Sequence, residues 1–206
     1  MESTEREISN CIDESIKVKK QLKKTSYKVI NQISKEIIRA FQDGNKVLWF
    51  GNGGSAADSQ HLSAELIGKF YKKRKALESI ALTTNTSILT ALSNDFDFSY
   101  IFARQVEALV KPGDIVIGLS TSGNSPNVIL GLESAKKLGG ITVALTGALK
   151  DRGIEEHVDY LIEVPSADTP RIQESHIMIG HIICYLVENL IFEKKSDTIP
   201  FVLKWD

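Results

Sequence analysis

Lys46-Val-Leu-Trp-Phe-Gly-Asn-Gly-Gly-Ser55 decides the fold. A short apolar run without alternation reads as a strand buried on both faces. The glycines after it read as a tight turn into a helix. The same pattern returns at Asp114-Ile-Val-Ile-Gly-Leu119, followed by Ser120-Thr-Ser-Gly-Asn-Ser125. There Pro126 suits the first position of a helix and Ser125 its cap. Further strands are expected at 79–82, 141–145 and 160–164. Helices are expected from Ser55 to about Tyr71, over 88–92, over about 98–110 with Asp97 as cap, and from Pro126 to Gly139-Gly140. A long final helix should run from Thr169, its cap, with Pro170 at its start, to about Phe192. Alternating helices and strands predict an α/β fold, a flavodoxin-like doubly wound sheet of five parallel strands.

Outward from that core, residues 4–43 are charged and helical in period. Ile8, Ile12, Ile16, Val18 and Leu22 form one stripe; Val29, Ile30, Ile33, Ile37, Ile38 and Phe41 form a second. Two helices are expected, broken near Thr25-Ser26, with Ser26 capping the second. Their apolar stripes need a partner, and a neighbouring subunit would serve. The whole reads as one domain over 1–206: helices at 1–43 for oligomerisation, an α/β core at 44–195 and a tail at 196–206.

Lys plus Arg number 25 and Asp plus Glu 26, which argues against a nucleic-acid or anionic-membrane footprint. Cys11 and Cys184 lie far apart, each in a helical pattern, and read as reduced packing residues. The acidic opening Met1-Glu-Ser-Thr-Glu5 is unlike a signal peptide. No apolar run reads as a membrane span, so the expected compartment is the cytoplasm.

In doubly wound sheets, ligands bind outside the carboxyl ends of the strands. Two strand ends here carry loops of Gly, Ser, Thr and Asn. Hydroxyls at Ser120, Thr121, Ser122 and Ser125, with the helix start behind them, can hold a phosphate without lysine or arginine. Gly51 to Ala56 also fits a loose G-x-G-x-x-A dinucleotide fingerprint. Yet the second strand ends in Leu82-Thr83-Thr84, without the acidic residue that would hold a ribose. An ATP phosphate loop fails too, since no Lys-Ser or Lys-Thr follows the glycines. Either loop alone also reads as a plain strand-to-helix turn; two together point to an anion site, with no nucleotide cofactor.

His61 and Glu65 stand four residues apart, on one helix face. Gln173 and His181 are eight apart, about 80° around the final helix, and can share a groove. Taken singly, the first pair also reads as a solvated i,i+4 pair, and His181, among Ile179, Ile182 and Ile183, as a core histidine.

Gly51-Asn-Gly-Gly-Ser-Ala-Ala-Asp58, His61-Leu-Ser-Ala-Glu65, Ser120-Thr-Ser-Gly-Asn-Ser-Pro126 and Arg171-Ile-Gln-Glu-Ser-His176 together resemble the sugar isomerase (SIS) domain family. The resemblance covers about residues 5 to 195, with its motifs in order. It implies an aldose–ketose isomerase acting on sedoheptulose 7-phosphate, a homotetramer, and active sites between subunits. It implies sugar contacts from Asn52, Gly53, Gly54, Ser55, Asn94, Asp95 and Gln173, and a phosphate seat of Ser120, Thr121, Ser122 and Ser125. Pro170 departs from the usual residue there, so the further contact is assigned to Thr169. Glu65 is implied as catalytic base and His181 as its acid partner. His61, Glu65, Gln173 and His181 resemble the family's zinc site. Some single-domain relatives instead act as adaptors or sugar-phosphate sensors, and tend to lose the catalytic residues. His157 and His176 lie outside the motif positions and receive no role.

Overall fold

The computed structural model describes residues 3–148 and 153–192, so the tail at 196–206 lies outside the described residues. Five strands form one parallel sheet: β1 (Val47–Gly51), β2 (Ser79–Ala81), β3 (Ile115–Ser120), β4 (Ile141–Thr146) and β5 (Tyr160–Glu163). Their order is β2-β1-β3-β4-β5, the expected flavodoxin-like winding. The chain direction of winding reverses between β1 and β3. The two loops singled out from the sequence therefore flank that switch point.

Successive side chains of a strand point to opposite faces. Val47 and Trp49 face one core, Leu48 and Phe50 the other. The first core is shared with α1 (Ser3–Thr25), α2 (Tyr27–Gln42), α3 (Gly54–Ile67) and α7 (Thr169–Phe192). The second is covered by α4 (Thr86–Asp95), α5 (Ala103–Leu109) and α6 (Pro126–Lys137). The buried Trp49 indole donates to Ser79 Oγ at 2.9 Å, so its one polar atom is satisfied. At the amino edge of the sheet, Lys46 Nζ meets Asp114 Oδ2 at 2.6 Å, and Asp114 also accepts the N–H groups of Lys46 and Lys111.

Several local expectations need correction. Ser26 has helical dihedrals and its hydroxyl caps nothing; its N–H bonds Leu22 O and its carbonyl takes the Ile30 N–H. The chain thus bends between α1 and α2 with little loss of hydrogen bonding. α3 ends at Ile67, four residues before Tyr71. Asp97 caps only a single turn at Phe98–Tyr100, and α5 starts later, at Ala103. Thr169 is already inside α7, whose first turn closes from Ile172 N–H to Asp168 O. Cys184 is buried, and burial pushes its thiol up to about 12; Cys11 is exposed rather than packed in the core. Ile8, Ile12 and Ile16 are exposed as well, while Val18 and Leu22 reach the core. Finally, α7 has the length and hydropathy to cross a membrane, contrary to the sequence reading. It packs against α2, α3, α1 and β4 as a core helix.

Within α7 the fully buried His176 sets Nε2 3.2 Å from Thr146 O, while Nδ1 has no partner among the described residues. Burial holds its pKa down at about 4. The unfolded chain, with an ordinary histidine near 6.5, binds the extra proton more readily. Stability from this group is therefore full above about pH 6.5 and falls toward pH 4, by about 3 kcal/mol in all. Asp58 opposes this trend, because its carboxyl is raised to about 6. The check is accordingly a difference: His176→Gln should flatten the dependence of the urea midpoint on pH between 4 and 6.5. Identical slopes in parent and variant would show that His176 does not set the trend.

Candidate active site

α3 and α7 lie side by side in the same direction. A Cβ built on Gly54 would fall 2.4 Å from Gln173 Nε2, and one on Gly180 would fall 2.4 Å from both Leu62 methyls. These two contacts pin the helices seven to eight residues apart on each. Between them three of the candidate side chains converge. His61 Nε2 lies 2.8 Å from His181 Nε2 and 3.4 Å from Glu65 Oε1. One imidazole must donate to the other, so their tautomers are complementary. Burial, then the neighbouring His61, lowers the His181 pKa against the pull of Glu65, which favours the neutral ring.

One ligand atom each from His61, Glu65 and His181 lies within 4.8 Å of the others. Two imidazole nitrogens and a carboxylate oxygen are a donor set suited to a divalent ion. The set fits with a small adjustment. Tetrahedral ligands at about 2.1 Å from an ion stand about 3.4 Å apart, so the imidazoles would part slightly. Gln173, on α7, lies against Gly54, two turns before His61 on α3. It shares the groove with the glycine loop.

That loop turns at Gly53, whose φ of 56° suits glycine. Gly51 is hemmed in by Leu119 O and Ser55. Asn52 makes a reciprocal amide pair with the buried Asn127: Nδ2 to Oδ1 at 2.8 Å one way and 2.9 Å the other. This pair ties the loop after β1 to the first turn of α6. One N–H and one lone pair of Asn52 remain for a ligand. In the loop after β3, Gly123 turns at φ 69°, and Ser120 Oγ lies 3.0 Å from Ser125 Oγ. Ser125 occupies the expected cap position, but its hydroxyl turns to Ser120 rather than capping α6. Ser122 Oγ accepts the Asn124 N–H, and Thr121 O accepts that of Gly147. The hydroxyl loop is thus bound into the carboxyl edge of the sheet, ahead of the α6 N-terminus.

The structure therefore gathers Asn52, Gly53, Gly54, Ser55 and Gln173 at one end of the groove and His61, Glu65 and His181 further along it. Ser120, Thr121, Ser122 and Ser125 line the adjoining strand end. Thr169 is exposed at the start of α7. Asn94 and Asp95 are exposed at the end of α4 and bond each other at 2.8 Å. Among the described residues, no hydrogen bond joins them to either loop or to α7. Two residues near these received no role from the sequence, although Asp58 closes the quoted glycine motif. Asn127 sits just beyond the quoted serine motif, but its pairing spans 75 positions. Asp58 lies one turn before His61, with Oδ2 buried and unpartnered among the described residues, and burial raises its carboxyl to about 6. Asn127→Ala would strand the Asn52 amide and free the loop. We expect kcat/KM to fall about 10-fold, near 1.4 kcal/mol. An unchanged value would mean that the amide pair does not order the loop.

Fold and site together define an α/β protein with a hydroxyl-lined loop at its switch point, beside a cluster of two imidazoles and a carboxylate suited to a metal ion. The chain belongs to the SIS domain family, whose model matches residues 11–147. It is 50% identical to a phosphoheptose isomerase of Aneurinibacillus thermoaerophilus, over 91% of this chain and 96% of that protein. A phosphoheptose isomerase of Aquifex aeolicus is 57% identical over 77% of this chain and 82% of its own length. Among solved structures, a phosphoheptose isomerase from Neisseria gonorrhoeae superposes with a TM-score of 0.85 at 37% identity, over 91% of this chain and all of that one.

Proposed function

We propose that the chain is an aldose–ketose isomerase that converts sedoheptulose 7-phosphate to D-glycero-D-manno-heptose 7-phosphate through an enediol. The observation that carries this reading is the convergence of His61, Glu65 and His181 within 4.8 Å. That cluster lies beside two loops able to seat a phosphate. The relatives named above, alike over 77% to 91% of the chain, support the same activity.

Isomerisation takes a proton from C1, leaves an enediol, and returns the proton to C2. Glu65 takes and returns that carbon-bound proton. His181, bonded to His61, passes the proton between the two oxygens and assists ring opening. Ser120, Thr121, Ser122 and Ser125 hold the phosphate with the α6 N-terminus, which fixes the distance to the reacting end of the sugar. Asn52, Gly53, Gly54, Ser55, Thr169 and Gln173 hold its hydroxyls. His61, Glu65, His181 and Gln173 would hold Zn²⁺, which supplies Lewis-acid polarisation of the carbonyl when bound. Ligand and base are competing roles for Glu65, and activity with and without chelator separates them.

The chain works as a cytoplasmic homotetramer. The exposed Ile8, Ile12 and Ile16 of α1 are its apolar contact, and a second copy completes each site. Asn94 and Asp95, apart from the groove within one chain, then reach a site across the interface.

The test is to offer the protein sedoheptulose 7-phosphate beside hexose and pentose phosphates and follow the aldose product. Turnover of the heptose phosphate should exceed the others at least 100-fold in kcat/KM. Comparable rates on a shorter sugar would replace the substrate; no turnover of any would point to a binding protein.

A further inference from the structure

Beyond Ile67 the chain folds back over α7, and there Arg74 meets Glu188. Arg74 Nε donates to Glu188 Oε1 at 2.9 Å, and the two side chains are 2% and 1% exposed. Glu188 also accepts three successive backbone N–H groups: Phe70 at 3.0 Å, Tyr71 at 2.7 Å and Lys72 at 2.9 Å. Arg74 donates to the carbonyls of Glu65 at 2.8 Å and Leu66 at 2.7 Å, and more weakly to those of Gly68 and Lys75. The carbonyls of a helix's last turn lack intrahelical partners and favour a cation. One guanidinium thus caps α3 at the turn that carries Glu65.

Glu188 lies seven residues past His181, two turns along the same stripe of α7. Phe70, held by its N–H on Glu188, sets its ring against the His181 ring, with centroids 5.7 Å apart. The clasp therefore touches the backbone of one proposed catalytic residue and the ring of the other. A buried ion pair is a poor source of stability, because desolvation offsets the attraction. What it supplies that an apolar pair would not is a directional fork with a fixed geometry. Burial would raise the Glu188 carboxyl, yet the three N–H groups and Arg74 bring it below its ordinary value, so it stays charged.

We propose that Arg74 and Glu188 are positioning residues: their clasp locks the end of α3 to α7 and holds Glu65 and His181 at working separation. This rests on the roles given above to Glu65 and His181.

The test compares the parent with Arg74→Lys and with the charge-free double variant Arg74→Met/Glu188→Gln, which leaves no orphaned buried charge. Three quantities are read on the full chain: kcat and KM for sedoheptulose 7-phosphate, Zn²⁺ affinity by chelator competition, and thermal midpoint. Lysine keeps the charge but not the fork. For both variants we expect kcat to fall at least 10-fold and Zn²⁺ affinity at least 10-fold. KM should stay within twofold, since the phosphate loops lie at the other end of α3. If Arg74→Lys does not fold, the double variant is read by the same measures. A lowered thermal midpoint with kcat and Zn²⁺ affinity within twofold of the parent would overturn the proposal and leave the clasp purely structural. The parent and Glu65→Gln are run alongside. An active Glu65→Gln, or a parent that takes up no Zn²⁺, condemns the reading of the site itself, whatever Arg74 does.

Discussion

Glu65→Gln should lower kcat about 10³-fold and leave KM within a few-fold of the parent. A positioned general base contributes roughly 10²–10⁴-fold, and an amide of the same shape cannot take the proton. The substitution leaves the scaffold alone. The carbonyl of residue 65 still receives Arg74, and the neighbouring Leu62 and Leu66 still fill the core. The proposed phosphate seat lies apart from residue 65, at the serine loop after β3, so substrate should still be held. The measurement is steady-state turnover of sedoheptulose 7-phosphate, with thermal melting as control. Near-parent turnover would move the base to another carboxylate. Asp58 is the next to examine: it lies two turns before Glu65 on the same stripe, and burial raises its carboxyl to about 6. Asp58→Asn in parallel tells the two apart.

The parts of this fold that were legible in the sequence are those with local causes. Val47 to Phe50 and Ile115 to Leu119 are apolar on every residue, so only a strand buried on both faces accommodates them. Alternation with helices then fixes the winding and places both loops at the switch point. Helix ends were less legible, because their caps are tertiary. α3 stops at Ile67 where Arg74 returns to cap it, and no local signal marks that return. The hydroxyl of Ser125 was expected on α6 and instead meets Ser120, a partner set by the curvature of the loop. His61, Glu65 and His181 were foreseeable as a cluster through motif and helical spacing. Asn127 was not, since its reciprocal bond to Asn52 depends on two strands being neighbours. Asn94 and Asp95 remain the opposite case: their motif position points to the sugar, but a single chain does not bring them there. The proposed site across subunits would reconcile the two.

The glycine at 180 carries the second large effect. It lies in the middle of α7, where alanine would ordinarily gain about 1 kcal/mol in helix propensity. Here a Cβ would stand 2.4 Å from both methyls of Leu62 and 2.9 Å from its Cγ. Leu62 is fully buried and has no free direction to turn, so the helices must part. Leu62 adjoins His61, and Gly180 adjoins His181. Any separation therefore opens the 2.8 Å contact between the imidazoles directly. Overpacking of this kind costs about 1–3 kcal/mol, which the propensity gain partly offsets. Gly180→Ala should then fold with a thermal midpoint near the parent's. A misplacement of about 1 Å at reacting groups costs on the order of 10²-fold, so kcat should fall by about that much. Leu62→Ala in the same chain removes the obstructing methyls. It should restore at least 10-fold of the lost turnover, although alone it destabilises by about 2–5 kcal/mol. Such rescue by a substitution that only removes atoms would be hard to obtain unless helix spacing governs the cluster. Parent-like turnover in Gly180→Ala would mean that α3 and α7 absorb the extra carbon elsewhere, and that the two histidines are held by something other than this contact.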